Sequence, residues 1–213
     1  AETCLVWSFS LNIDPIFPLK IIVPSLMTLA LEFWIISPST TFDPATFPTF
    51  ETLKISKKVE DVLIEDLEAI DVIIHLAAQS SVPLSKENFY KSSSNNLLSS
   101  IKVFDIAKEL SLPVLYASSS AVYGNLQIGD DVSNNYDILT PYALDKLTLE
   151  AYAKLSNELY LVPSIGFRFF NIYGPYQDPN NPYSGVISLF LSQSLKGEEL
   201  KVFGGNQTRD FIH

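Results

Sequence analysis

From residue 51 onward the chain alternates short apolar runs with longer stretches of helical period. Thr52–Ile55 predicts a short strand. Val59, Leu63, Leu67 and Ile70, spaced 4, 4 and 3, predict one face of an amphipathic helix. Asp71–Ala77 is a nearly continuous apolar run, the pattern of a strand buried on both faces. Its His75 reads as a core histidine rather than a ligand, because apolar residues flank it. Residues 80–94 are polar and serine-rich and predict a loop. Asn96–Leu110 predicts a helix burying Leu97, Ile101, Phe104 and Ala107 or the aliphatic stem of Lys108. Pro113–Gly124 begins apolar and runs into Ser118, Ser119 and Ser120, which suits a buried parallel strand opening into a loop at its carboxyl end. Thr140 can cap a helix and Pro141 fits its first position, so a helix is expected from there to about Leu159. Ser164–Phe170 predicts another strand, residues 177–185 a loop, Val186–Lys196 a helix and Leu200–Phe203 a strand. Strands and helices in alternation indicate an α/β architecture.

The first fifty residues break this rhythm. They are apolar but carry Pro15, Pro18, Pro24, Pro38, Pro44 and Pro48. Leu5–Trp7 and Glu32–Ser37 are the plausible strands there. Prolines, Lys20 and Glu32 interrupt the oily run from Ile13 to Ile36, which falls short of the roughly 20 apolar residues of a spanning helix. No basic segment precedes it, so neither a membrane span nor a secretory leader is expected, and the cytoplasm is the default location. All eight glycines lie at or after Gly124, so no glycine-rich phosphate loop exists in the first 123 residues.

Composition narrows the function classes. With 47% apolar and 18% charged residues, the 213-residue chain can bury one substantial core, or one domain plus part of another. A net charge of −10 and only two arginines, Arg168 and Arg209, argue against nucleic acid as a partner. One well-placed arginine still suffices for a pyrophosphate. Cys4 stands alone, which precludes an internal disulfide, and two histidines offer no metal-ligand cluster.

The candidate chemistry gathers between Pro113 and Asn171. Tyr142 and Lys146 are i and i+4 on the helix that opens at Pro141, hence on one face. The serines ending the preceding strand lie at the edge where open α/β sheets bind ligands. A phenol titrates near 10 and is a poor base at neutral pH, but a neighbouring ammonium favours its ionised form. With Ser119 holding a substrate oxygen, the phenolate can take a proton from an alcohol. Tyr-x-x-x-Lys alone is common on helices; the serine-ended strand before it and Arg168–Asn171 after it strengthen the functional reading.

In Asp71–Gln79, Ser118–Gly124, Tyr142–Lys146, Arg168–Pro175 and Thr208–His213 the chain resembles the extended short-chain dehydrogenase/reductases, the NAD-dependent epimerase/dehydratase family, and within it UDP-glucose 4-epimerase-like proteins. The five segments occur in family order over roughly the last two-thirds of the chain. The resemblance implies a Rossmann-like, doubly wound parallel sheet over residues 1–171 that binds NAD. Residues 172–213 would be part of a smaller substrate lobe, with another domain half expected beyond His213. It implies Ser119, Tyr142 and Lys146 as the catalytic residues. Leu76, Ala77, Ala78, Asn95, Ser118, Tyr142, Lys146 and Phe169 would touch the cofactor. Ser119, Ser120, Asn171 and Arg209 would touch a nucleotide sugar, Arg209 at its diphosphate. Simple packing explains Leu76 about equally well, and a helix cap explains Asn95.

Members that expel water or carbon dioxide carry acidic residues just after the Ser119 position, where this chain has Ser120-Ala121. That favours 4-epimerisation of the UDP-glucose/UDP-galactose kind, by transient oxidation at C4. Two alternatives stand beside it: a catalytically silent relative that binds a nucleotide sugar or nothing, and a reductase acting on another substrate. The missing glycine loop and the C-terminal part expected beyond His213 count for the silent reading; Lys54 stands where the family often has an acidic residue. Family members commonly pair through two helices, which here implies a homodimer built on residues 96–110 and 142–159.

Overall fold

The computed structural model describes residues 58–67, 70–126, 129, 131, 134–174, 177–179 and 184–213, together with the backbone of two short strands, β1 (Lys20–Ile22) and β2 (Glu51–Leu53). The strands expected at Leu5–Trp7 and Glu32–Ser37 lie outside the described residues. The remaining elements are β3 (Val72–His75), α1 (Val82–Glu87), α2 (Phe89–Leu110), β4 (Val114–Ser119), α3 (Pro141–Tyr160), β5 (Ser164–Phe169), β6 (Asn171–Ile172), α4 (Val186–Lys196) and β7 (Phe211–Ile212). They fall into two compact units, one ending at Arg168 and one running from Phe169 to His213.

The first unit is built on a five-stranded sheet in the order β2-β1-β3-β4-β5. β1 pairs in parallel with both β2 and β3, and β3 with β4 through Ile73–Val114, Ile74–Leu115 and His75–Tyr116. The chain steps to one side of β1 and then to the other. That is the order of a doubly wound, Rossmann-like α/β sheet, whose ligands bind beyond the carboxyl ends of the strands where the order reverses. β3 is buried at all four positions, as its apolar run predicts. Ile73 joins Val103, Phe104, Ala107, Val114, Tyr116, Leu149, Ala153 and Val162 in the main core, while Val72 and Ile74 pack on the other face with Leu76 and Leu115. Burying a side chain such as Leu149 contributes about 2 kcal/mol. Gly166 is bare because a Cβ there would enter the ring of Tyr116.

Several expectations give way to local chemistry. The helix predicted over residues 59–70 is two short 3-10 turns, Val59–Asp61 and Ile64–Asp66. Leu63 between them is extended, and its N–H is taken by the Asp66 carboxylate at 2.9 Å, a side-chain bond that competes with helix. The loop expected at 80–94 is instead α1 and the first turns of α2. Ser81 caps α1 by accepting from Leu84 N at 3.3 Å, and Asn88 caps α2 by accepting from Lys91 N at 3.0 Å. Serines that suggested a loop use their hydroxyls otherwise: Ser85 donates to the helix backbone at Val82 O at 2.8 Å, and Ser92 donates to Gln79 Oε1 at 2.9 Å. Because α2 begins seven residues early, Asn95 is not at a cap. The buried face carries Ser92, Asn96, Ser99, Ser100, Val103 and Phe104, while Leu97 and Ile101 are only half-buried.

In the second unit, α4 spans the predicted residues and ends at Gly197 with φ of 70°. Leu200–Phe203 is not a strand; it runs into Gly204 and Gly205, whose φ values of 77° and 73° turn the chain away. The strand of this region is β7, paired in parallel with β6.

Candidate active site

α3 starts as its sequence predicts. Thr140 Oγ1 accepts from Ala143 N at 3.1 Å and Pro141 occupies the first turn. Tyr142 and Lys146 follow on one face, and both are buried, at 9% and 5% exposure. At its carboxyl end β4 passes into a 3-10 turn, Ser120–Tyr123, which Gly124 closes with φ of 54° where a Cβ would collide with the Asp137 carbonyl.

These elements bring Ser119, Tyr142 and Lys146 together. The Ser119 hydroxyl lies beside the Tyr142 phenol and accepts from Ala121 N at 3.2 Å. The Lys146 ammonium donates to Ala117 O at 2.6 Å and stands 5.8 Å from the centre of the Tyr142 ring. Burial pulls the Lys146 amine down to about 8, against the opposing charge of Asp145. The phenol departs from the simple expectation. Burial raises it above its ordinary value, the Ser119 bond pulls the other way, and Asp145 raises it further. Desolvation is the largest of these effects, so the resting phenol holds its proton.

His75 is a core histidine, its Nε2 3.1 Å from Ser100 Oγ. Burial, aided by the Lys146 charge, lowers it to about 3, so it stays neutral. Leu76, Ala77 and Ala78 are half-buried at the exit of β3. Asn95 is exposed, and the buried residue is its neighbour Asn96. Asn96 accepts from Gln79 N at 2.8 Å and donates to Gln79 O at 3.2 Å and Asp145 Oδ2 at 2.9 Å. The exit of β3 is thereby tied to the helix of Tyr142. The helical period would have found Asn96 had α2 been traced back to Phe89.

Ser118 is buried, and its hydroxyl donates to the Glu150 carboxylate. Ser120 begins the 3-10 turn and is half-buried. Phe169, Asn171 and Arg209 belong to the second unit. Asn171 Nδ2 donates to Asp210 O at 3.0 Å, and Arg209 is exposed, donating to Thr208 O at 2.8 Å and Gln207 Oε1 at 3.0 Å. Sequence patterns gave no individual role to Gln79, Asp145, Glu150 or Arg168, whose partners are distant in the chain. Among the described residues no cluster of His, Cys, Asp and Glu suits a metal ion, and no helix is long and apolar enough to cross a membrane.

The groups present suit a dinucleotide's ribose end. A buried ammonium has three donors, and the Ala117 carbonyl takes one, which leaves others for hydroxyls at the carboxyl ends of β3 and β4.

The chain is 38% identical over 148 residues to a Methanocaldococcus jannaschii protein provisionally named a UDP-glucose 4-epimerase, covering 68% of this chain and 48% of that one. It is 35% identical over 150 residues to a UDP-N-acetyl-alpha-D-glucosaminuronate decarboxylase of Bacillus cytotoxicus, covering 67% and 46%. Among solved structures, UDP-N-acetylglucosamine 4-epimerase from Methanobrevibacter ruminantium, in complex with UDP-N-acetylmuramic acid, superposes with a TM-score of 0.69 at 36% identity, covering 80% of this chain and 55% of that one. The chain thus spans about half the length of the curated relatives it matches. Residues 22–213 match the NAD dependent epimerase/dehydratase family, and with the parallel sheet and the Ser119–Tyr142–Lys146 cluster this establishes that the chain belongs to that family.

Proposed function

We propose that this chain forms the cofactor-side part of a nucleotide-sugar 4-epimerase of the UDP-glucose/UDP-galactose kind, with residues 1–171 binding NAD and residues 172–213 contributing to a substrate lobe. The observation that carries the reading is the convergence of the Ser119 hydroxyl, the Tyr142 phenol and the Lys146 ammonium, with no carboxylate in Ser120-Ala121 after the serine. NAD, when bound, supplies a reversible hydride acceptor at C4 and a positive charge that favours the phenolate. Lys146 donates to the cofactor's ribose hydroxyls and holds them beside the phenol. Ser119 holds the C4 oxygen within reach of Tyr142, and Tyr142 Oη takes the C4 hydroxyl proton and later returns it. Water expulsion needs an acid and a base flanking the sugar, and decarboxylation breaks the C5–C6 bond of a sugar acid and protonates C5; epimerisation asks of the side chains only a reversible proton transfer at the C4 oxygen. Arg209 and Asn171 are the residues assigned to the nucleotide sugar, and a homodimer through α2 and α3 is the assembly.

Conversion of UDP-glucose to UDP-galactose by the NAD-loaded protein tests this directly. Tyr142→Phe is expected to lower turnover by about 10²–10⁴-fold while the melting temperature is kept. Full activity in that variant would refute the assignment. A second reading, a catalytically silent relative, rests on the absence of any glycine before Gly124. Mass spectrometry of the denatured protein separates the two: NAD released on unfolding supports the enzyme, and a protein that binds none even when supplied supports the silent form.

A further inference from the structure

Three consecutive residues at the end of β4 meet three successive turns of α3, two of them through hydrogen bonds. Ser119 meets Tyr142, the Ala117 carbonyl meets Lys146, and Ser118 donates to Glu150. Tyr142, Lys146 and Glu150 are i, i+4 and i+8 on one helix face. Glu150 is in turn gripped by Arg168, with Nε 2.9 Å from Oε1 and NH2 2.7 Å from Oε2. Both side chains are mostly removed from water, at 14% exposure for Arg168 and 16% for Glu150. The remaining donors of the guanidinium reach Tyr123 OH at 3.0 Å and Tyr136 OH at 3.2 Å, and it lies 5.1 and 5.2 Å from the centres of those rings. Tyr123 closes the turn that follows Ser119, and Tyr136 lies on the segment that leads into α3. A buried ion pair is seldom a better source of stability than apolar packing of the same volume, but a fork-on-fork pair fixes orientation tightly.

We propose, on the strength of the epimerase reading above, that Glu150 and Arg168 are positioning residues: through Ser118 they set the register of the β4 end against α3, and so hold the Ser119 hydroxyl on the Tyr142 phenol. Neither residue touches the reacting atoms. Ser118→Ala is the clean probe, because it uncouples the serine turn while leaving the ion pair whole.

The experiment compares Ser118→Ala, Glu150→Gln and the double variant of the full chain, with Tyr142 followed by carbon NMR of ring-labelled tyrosine and assigned by Tyr142→Phe. The groups facing that phenol are Ser119, Lys146 and Asp145. Loosening the Ser119 bond raises the phenol's titration point in both single variants. A charge effect alone has the opposite sign in Glu150→Gln, since it removes a negative charge and leaves Arg168 unbalanced, which would lower the phenol. In turnover, each single variant is expected to lose about tenfold in kcat with KM nearly unchanged, and the double variant to lose no more than either. An unmoved phenol in Ser118→Ala, a downward move in Glu150→Gln, or losses that multiply would overturn the proposal. If the parent protein has no epimerase activity, the catalytic reading fails, and the direction of the phenol shift still decides the positioning role.

Discussion

At the scale of single residues, the candidate site is governed by burial as much as by charge. Lys146 gives this a measurable sign. Its amine titrates at about 8 when folded and near 10.5 when unfolded, so between those values the unfolded chain holds a proton that the folded chain has released. Stability contributed by this group therefore rises with pH from about 8 toward 10.5, and at neutral pH the buried ammonium is a cost. Lys146→Met is expected to stabilise the fold at neutral pH by on the order of 2 kcal/mol and to flatten the alkaline rise. Thermal unfolding below pH 10 checks this, before Tyr116, pushed up to about 12 by burial, adds its opposite trend. A melting temperature that falls in the variant would show that the ammonium's bonds outweigh its desolvation.

At the scale of elements, the three pieces of the site are joined by polar side chains rather than by packing alone. Asn96 links α2 to the exit of β3 through Gln79 and to α3 through Asp145. Replacing it by alanine strips a buried carboxylate and a backbone N–H of their partner together. Asn96→Ala is expected to cost about 2–4 kcal/mol in urea unfolding, whereas Asn95→Ala, one position along on the exposed side, costs within about 0.5. Equal costs would mean that the buried network contributes nothing special. The start of α3 belongs to the same scale, since Thr140 and Pro141 set which residue begins the helix and hence which face carries Tyr142 and Lys146.

At the scale of the whole molecule, α2 and α3 present exposed Leu98, Leu144, Leu155 and Leu159. These apolar positions support the proposed pairing of two copies, for which stable interfaces bury about 800 Å² on each partner. A Leu98→Glu, Leu155→Glu double variant is expected to shift the protein from dimer to monomer in light scattering while circular dichroism is unchanged. A parent chain that is monomeric at all concentrations would dismiss the homodimer.

Much of the architecture was legible from residue order. The apolar run of β3, the serine-ended β4, the Thr140-Pro141 start of α3 and the span of α4 all follow from interactions among near neighbours: period, capping and proline geometry. The same local signals misled at 59–70, where Asp66 captures the Leu63 N–H, and at 80–94, where Ser81 caps α1 and Ser85 bonds within it instead of forming a loop. They also placed Ser119, Tyr142 and Lys146 in order along the chain but not in contact. Only tertiary structure joins Ser118 and Arg168 to Glu150, or Asn96 to Asp145, because those partners lie 18 to 49 residues apart and meet only when the sheet brings α2, α3, β4 and β5 together. The same holds for the phenol: the spacing of Tyr142 and Lys146 was written in the sequence, while the burial that raises the phenol exists only in the fold.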